Sequence, residues 1–435
     1  MRLEKVRLSG FRSLRDLTLE LGDLTVITGP NNAGKSNLLA GLAFLGDVYA
    51  RGLDAAMQTA GGYDRIAYRR GGEAVGSVGF DVDVTDPATD SARPTSTSSA
   101  MQKSPGDVRI RHLFNIDAEA TETVSSYALG SNHLRISGTA DSFPLATALH
   151  VDSSGVVTDF AELPTAREEA ENAVSEILAE IFVKNWPTNL ATLFRPEDAD
   201  NKFYAISEPA RNLASRMRGV VAGIRILRPV PHLCRQPAAP GPNVLLSQYG
   251  ENLPAVADHL RRAAPATWLS VQEVMTTVVP GLLKIDIVPT EDRKLALRFE
   301  ERGVGRPWTA GEVSDGTVQA LALVLALFDD RIPLLGIEEP ENALHPWILR
   351  EILKVCTRQA GKQVVMTTHS PVLVDYVPAE SVHLMWREGG QSKIGKMLEL
   401  DTDVRKVWEG GGTNLFELYD SGGIPQATPG DAENQ

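Results

Sequence analysis

Short apolar runs that end on polar or acidic residues recur along this chain, separated by stretches with helical spacing. Leu24-Thr-Val-Ile-Thr28 is the first such run. It enters Gly29-Pro-Asn-Asn-Ala-Gly-Lys-Ser36 and is followed by the apolar-rich residues 37–45, which predicts strand, glycine loop, helix. Residues 2–6 and 17–21 flank Ser9-Gly-Phe-Arg-Ser-Leu14 and predict an antiparallel pair leading into that strand. Farther on, Val75, Val78, Phe80, Val82 and Val84 predict a half-buried strand. Residues 86–106, rich in Ser, Thr, Pro and Asp, read as a mobile hairpin tip or loop, because strand-like segments resume at 108–115, 124–129 and 145–151. These strands would form an antiparallel lobe.

The period changes near Pro164. Ala173, Val174, Ile177, Leu178, Ile181 and Phe182 fall on one helical face within 165–183, and a second helix is expected over 208–223. Strands return at 282–289 and 294–300, then at 333–337 and 362–367. The organisation expected is an N-terminal half of one core with its β lobe (1–163), a helical insertion (164–264), a C-terminal half (265–410) and a tail (411–435) whose last residues, 422–435, read as disordered. The fold class is α/β.

Composition narrows the function classes. The 435 residues are 43% hydrophobic and 23% charged, enough for a sizeable core. No run of 18 apolar residues occurs and the N-terminus lacks a signal-peptide pattern, so a soluble cytoplasmic protein without a membrane partner is expected. Cys234 and Cys356 are too few and too far apart for a disulfide framework or metal knuckle, and read as small core residues. The net charge of −13 and pI near 5.2 argue against a general nucleic-acid surface. Any DNA contact must be local, with Arg65, Arg69, Arg70, Arg211, Arg216, Arg218, Arg225 and Arg228 as candidates.

The chemistry concentrates at strand ends. In the GxxxxGKS pattern the backbone N–H groups from Gly29 through Asn31, Asn32, Ala33 and Gly34 to Asn37 can turn toward phosphate oxygens. Lys35 supplies a positive point charge and Ser36 a hydroxyl for Mg²⁺. Pro333-Leu-Leu-Gly-Ile337 delivers Glu338-Glu339-Pro-Glu341 at its end, which suits a metal-linked carboxylate (Glu338) and a water-polarising one (Glu339). The run 362–367 places His369 at the same sheet edge, where a histidine can donate to a γ-phosphate. Ser314 is a natural N-cap for the apolar run 318–328, and with Asp315 and Gly316 it makes a second anion-binding helix end. Arg12, in the turn between the first two strands, is a further candidate nucleotide ligand.

These four motifs in this order resemble the ABC-type P-loop ATPases of the RecF/SMC branch, most closely the ATPase half of the OLD family and its relatives in bacterial antiviral defence. Gly250-Glu-Asn-Leu253 is also similar to that group. The resemblance implies an ABC-type P-loop core with a β lobe and a helical insertion. It implies ATP and Mg²⁺ sandwiched in a homodimer, which larger assemblies could contain, each P-loop facing the partner's Ser314-Asp-Gly. Lys35 and Ser36 carry over as phosphate and Mg²⁺ contacts, Glu338 and Glu339 as Walker B and catalytic acids, Asn342 as part of the following loop, and His369 as the switch. OLD nucleases continue into a Toprim domain, whereas residues 372–435 carry no acidic triad of that kind, so a separate effector, nuclease or toxin, is expected. The alternatives are a RecF-like DNA-repair ATPase, and a transporter subunit or non-hydrolysing scaffold. A transporter signature would read Leu-Ser-Gly-Gly-Gln where this chain has Val313-Ser-Asp-Gly-Thr.

Overall fold

A computed structural model describes residues 1–70, 73–86, 108–119, 126–140, 143–151, 208–342, 344–358, 361–400, 405–406, 414–420 and 424. Its strands in chain order are β1 (Arg2–Phe11), β2 (Leu14–Glu20), β3 (Leu24–Thr28), β4 (Arg69–Arg70), β5 (Glu73–Ala74), β6 (Ser77–Asp86), β7 (Val108–Glu119), β8 (Ser126–Ala140) and β9 (Phe143–Val151). There follow β10 (Arg225–Leu227), β11 (Leu282–Pro289), β12 (Leu295–Glu301), β13 (Trp308–Thr309), β14 (Leu334–Glu338), β15 (Gln363–Thr367), β16 (Val382–Glu388) and β17 (Gln391–Lys396). The expected loop at 87–106, the helix at 165–183 and all but one residue of the tail 422–435 lie outside the described residues.

The chain packs as two compact units, one of residues 1–21 and 40–223, the other of 22–39 and 224–435. Helix α1 (Lys35–Arg51) begins in the second and continues into the first. In the first unit six strands form one antiparallel sheet ordered β2-β1-β6-β7-β8-β9. Alternation of buried and open positions along β6 keeps Val78, Phe80, Val82 and Val84 inside. A run of rings fills this core: Phe44 stacks on Phe80 at 5.6 Å, Phe80 on Phe114 at 5.1 Å, and Phe114 on His112 at 5.2 Å. His112 is fully buried and bonded through Nδ1 to the hydroxyl of buried Tyr49, so neither polar group is orphaned there.

The second unit is built on the sheet β10-β14-β15-β3-β16-β17, parallel except for the edge strand β17. Every residue of β3 and β15 is buried, as strands covered on both faces require. Helix Asp315–Phe328 is buried from Gly316 to Leu327 and apolar from Ala320 onward, as a central helix must be, with Thr317 and Gln319 as its buried polar residues. Its C-terminal carbonyls meet a buried cation: Lys362 Nζ donates to Ala326 O at 2.8 Å and Asp329 O at 2.7 Å. A three-stranded antiparallel sheet, β11-β12-β13, completes this unit.

The class is the α/β one expected, a P-loop core of parallel strands with an antiparallel β lobe. The division of the chain differs from the sequence expectation. β10 pairs in parallel with β14, Arg225 opposite Leu335 through Leu227 opposite Ile337, so residues from 224 onward already belong to the core and not to a helical insertion reaching 264. Residues 22–39 likewise pack with the C-terminal unit, since β3 lies between β15 and β16. The expected helix at 208–223 is present as Glu208–Ala222.

Candidate active site

Register puts the chemistry on one edge of the parallel sheet. Glu338 pairs with Thr367, and Thr367 with Ile27, so β14, β15 and β3 end side by side. The P-loop, the acidic run and His369 all leave from that end, where parallel sheets bind ligands.

The P-loop closes on its own lysine. Lys35 Nζ donates to Gly29 O at 2.7 Å and Pro30 O at 3.0 Å, which holds the ammonium inside the loop. The side chain is buried, and burial lowers its pKa to about 8, against the opposing pull of Glu339 and Glu341. Ser36, one residue on, donates its hydroxyl to Glu338 Oε1. The first turn of α1 and the end of β14 are thereby tied together.

Glu339 adopts φ +46°, a left-handed conformation that costs a non-glycine residue about 1 kcal/mol or more. Its N–H donates to Thr367 O at 3.0 Å, and Asn342 Nδ2 donates to its Oε2 at 2.9 Å. These bonds hold the turn that points the carboxylate away from the strand. His369 Nε2 lies 3.7 Å from Glu339 Oε1. Burial, and then the charge of Lys35, lower the His369 pKa, so the imidazole is neutral at pH 7 and can donate from one nitrogen. Glu341 fixes the histidine loop, its Oε1 accepting from Thr368 Oγ1 at 2.8 Å and His369 N at 2.7 Å. Two buried oxygens at this edge, Glu341 Oε2 and Thr367 Oγ1, have no partner among the described residues, as expected where water or ligand completes a site.

A family model described as "AAA domain, putative AbiEii toxin, Type IV TA system" matches residues 24–375. The chain belongs to this AAA-domain family. A second AAA-domain model matches residues 1–46. Among curated proteins none matches. Similar solved structures include an SMC head bound to the C-winged helix domain of ScpA, with 13% identity, TM-score 0.43, and coverage of 91% of this chain and 98% of that one. The SMC head domain from Thermotoga maritima gives 14%, 0.41, 91% and 99%. The Pyrococcus furiosus Smc head with an extended coiled coil, bound to the C-terminal domain of ScpA, gives 14%, 0.44, 95% and 100%.

Within the AAA domain, Lys35, Ser36, Glu338, Glu339 and His369 come together as one constellation. Ser314 caps helix Asp315–Phe328, accepting from Thr317 N at 3.2 Å, but the described partners of this segment are Thr317 and Arg235. Arg12 belongs to the first unit, its guanidinium 5.5 Å above the Phe11 ring. Sequence reasoning placed Arg228 only among basic-patch candidates, yet it directly follows β10 with Nη1 3.7 Å from Glu338 Oε2. Arg235 was missed altogether.

The donors present suit Mg²⁺. Ser36 Oγ and the Glu338 carboxylate are adjacent hard oxygens beside the P-loop. Among the described residues no group of three or more His, Cys, Asp and Glu gathers as a metal site. Both cysteines are buried with their thiol pKa values pushed up to about 12, which makes them unreactive core residues. No helix among the described residues is long and apolar enough to cross a membrane.

Proposed function

We propose that this AAA domain hydrolyses ATP at a site that a second copy closes, and that it works as a sensor or regulatory subunit with a separate effector. The observation that carries the reading is the union of Lys35, Ser36, Glu338, Glu339 and His369 on one sheet edge. Lys35 and the loop N–H groups would take the β- and γ-phosphates. Ser36 and Glu338 would hold Mg²⁺, which supplies positive charge against the transferring phosphoryl group. Glu339 would accept the proton of the attacking water, and neutral His369 would donate a hydrogen bond to the γ-phosphate. The capped helix end at Ser314, Asp315 and Gly316 has no described contact with its own P-loop motif, which supports its use on the nucleotide of a partner copy.

The family description, with its toxin and Type IV TA system, supports placing the activity in a conflict system, with closer kinship to OLD-like defence ATPases as part of the same proposal. No DNA contact is needed for it. Five of the eight candidate arginines are engaged inside the chain. Arg69 pairs with Asp64 at 3.3 Å, Arg216 with Asp86 at 2.8 Å and Arg228 with Glu338, while Arg218 and Arg225 donate to the carbonyls of Tyr49 and Ile224.

The test is Glu339→Gln. Turnover should fall by about 10²-fold or more with Mg²⁺-ATP still bound, and the variant should accumulate as ATP-loaded dimers on size exclusion. Unchanged turnover, or a variant that stays monomeric with ATP, would refute the reading.

A further inference from the structure

The segment that would close the partner's site is held by one side chain from elsewhere. Arg235 follows the short helix Pro231–Cys234 and reaches the loop before helix Asp315–Phe328. Its Nε donates to Ala310 O at 2.9 Å, its Nη2 to Val313 O at 2.9 Å, and its Nη1 pairs with Asp315 Oδ1 at 2.6 Å. Three nitrogens of one planar group thus fix three points of a six-residue loop, which a lysine could not do.

The charge of the contact matters as much as its geometry. Two carbonyls and a carboxylate stand beside a helix end whose free N–H groups would receive phosphate. Left alone, they would repel an anion. Arg235 turns all three toward itself, leaving the N–H groups as the feature a phosphate meets.

Arg235 is itself rigidly placed. Cys234 beside it is fully buried, and Gly250, at φ +82°, passes so close that a Cβ there would lie 2.4 Å from the Cys234 sulfur. Only glycine fits that turn. Asn252 locks the turn, accepting from Ser247 N at 3.0 Å and donating to Leu245 O at 2.8 Å. This gives the Gly250-Glu-Asn motif a physical role: it is the platform for Arg235.

We propose that Arg235 is a positioning residue for the other copy's active site, setting Ser314, Asp315 and Gly316 to receive the partner's nucleotide. The proposal rests on the two-copy reading above.

Dimers of defined composition, made by co-expressing two differently tagged full-length chains, test it. The reference is a dimer of Lys35→Ala with wild type, which has one working P-loop. When Arg235→Ala is added to the Lys35→Ala chain, the working P-loop faces the altered segment, and turnover should fall about tenfold or more. When it is added to the other chain, turnover should stay near the reference. Equal loss in both arrangements, or loss only in the second, overturns the proposal.

Ser314→Arg in the same two arrangements separates the premises. If it also fails to act across the dimer, the two-copy reading itself falls; if it acts across and Arg235→Ala does not, only the role of Arg235 falls. Should Arg235→Ala not fold by thermal melting, Asp315→Asn leaves both carbonyl contacts in place and must show the same asymmetry at smaller amplitude. Where the reference dimer does not turn over, trapping of labelled ATP at the intact P-loop is read instead, with the same outcomes deciding.

Discussion

The lysine of the P-loop makes nucleotide affinity a function of pH, and the size of the effect follows from its surroundings. Lys35 is buried with two donors spent on Gly29 and Pro30 carbonyls, and its pKa is lowered to about 8 because burial outweighs the two glutamates. Bound phosphates add negative charge beside the ammonium and must raise that pKa again. The free protein therefore takes up a proton on binding wherever Lys35 is partly neutral. Binding is at full strength below pH 8 and weakens above it. With a free-protein pKa of about 8 and the ammonium kept charged by the bound phosphates, the apparent Kd for Mg²⁺-ATP rises about tenfold from pH 7 to pH 9, roughly 1.4 kcal/mol. Equilibrium titration with a fluorescent ATP analogue measures the slope, and calorimetry in two buffers of different ionisation enthalpy measures the proton uptake. Lys35→Arg keeps its charge across the range and should bind more weakly but with little slope. A flat Kd with no proton uptake near pH 8.5 would refute the argument, because it would mean that the buried ammonium does not feel its burial.

Two further predictions concern the scaffold. Lys362→Met leaves the Ala326 and Asp329 carbonyls without their donor and should lower stability by about 2 kcal/mol in urea unfolding. The Lys362 pKa is also lowered to about 8 by burial, so the unfolded chain binds more protons between about pH 8 and 10, and wild type should gain on the variant as pH rises through that window. Gly336→Ala puts a Cβ 2.3 Å from Ile226 Cδ1 where β10 adjoins β14, costing about 1–3 kcal/mol, and Ile226→Val, which removes that atom, should recover about 1 kcal/mol or more in a double-mutant cycle.

What could be read in the sequence was what local pattern encodes. The P-loop, Glu338 and His369 each sit just beyond an apolar run, and the polar residues that break such runs are where strands end. Ser314 announced itself by residue type and by the apolar stretch after it, and it does cap that helix. β10 was not legible. Three residues, Arg-Ile-Leu, carry no period, and only the pairing with β14 makes them a strand, so the core boundary was set too late. Arg216 and Arg228 stand out in the sequence only as candidate DNA contacts because the acids they pair with lie far off: Asp86 for Arg216, Glu338 for Arg228. Arg235 offered still less, since two of its three partners are backbone carbonyls 75 and 78 residues away, and carbonyls leave no mark on a sequence.

The same long-range contacts say how the two ends of one chain's chemistry are joined. Arg228 touches the carboxylate that Ser36 holds, and its N–H donates to Gln248 O at 2.8 Å. Seven residues later Arg235 grips the helix end that would serve the other site. Between them Val230 N donates to Tyr249 O at 3.0 Å and the Cys234 thiol faces the same carbonyl, so residues 228–234 lie along the 248–250 turn. A change at Glu338, such as the arrival of Mg²⁺, alters the partner of Arg228 at one end of a segment whose other end sets Ser314. Coupling through such a segment needs no large motion, because its ends are fixed by charge and its middle by backbone bonds. Arg228→Gln, which keeps a polar side chain but removes the charge, separates the two ends. If the segment carries coupling, the variant bound to Mg²⁺-ATP should form two-copy assemblies more weakly while its own P-loop affinity changes little. If assembly is unchanged, each end acts alone.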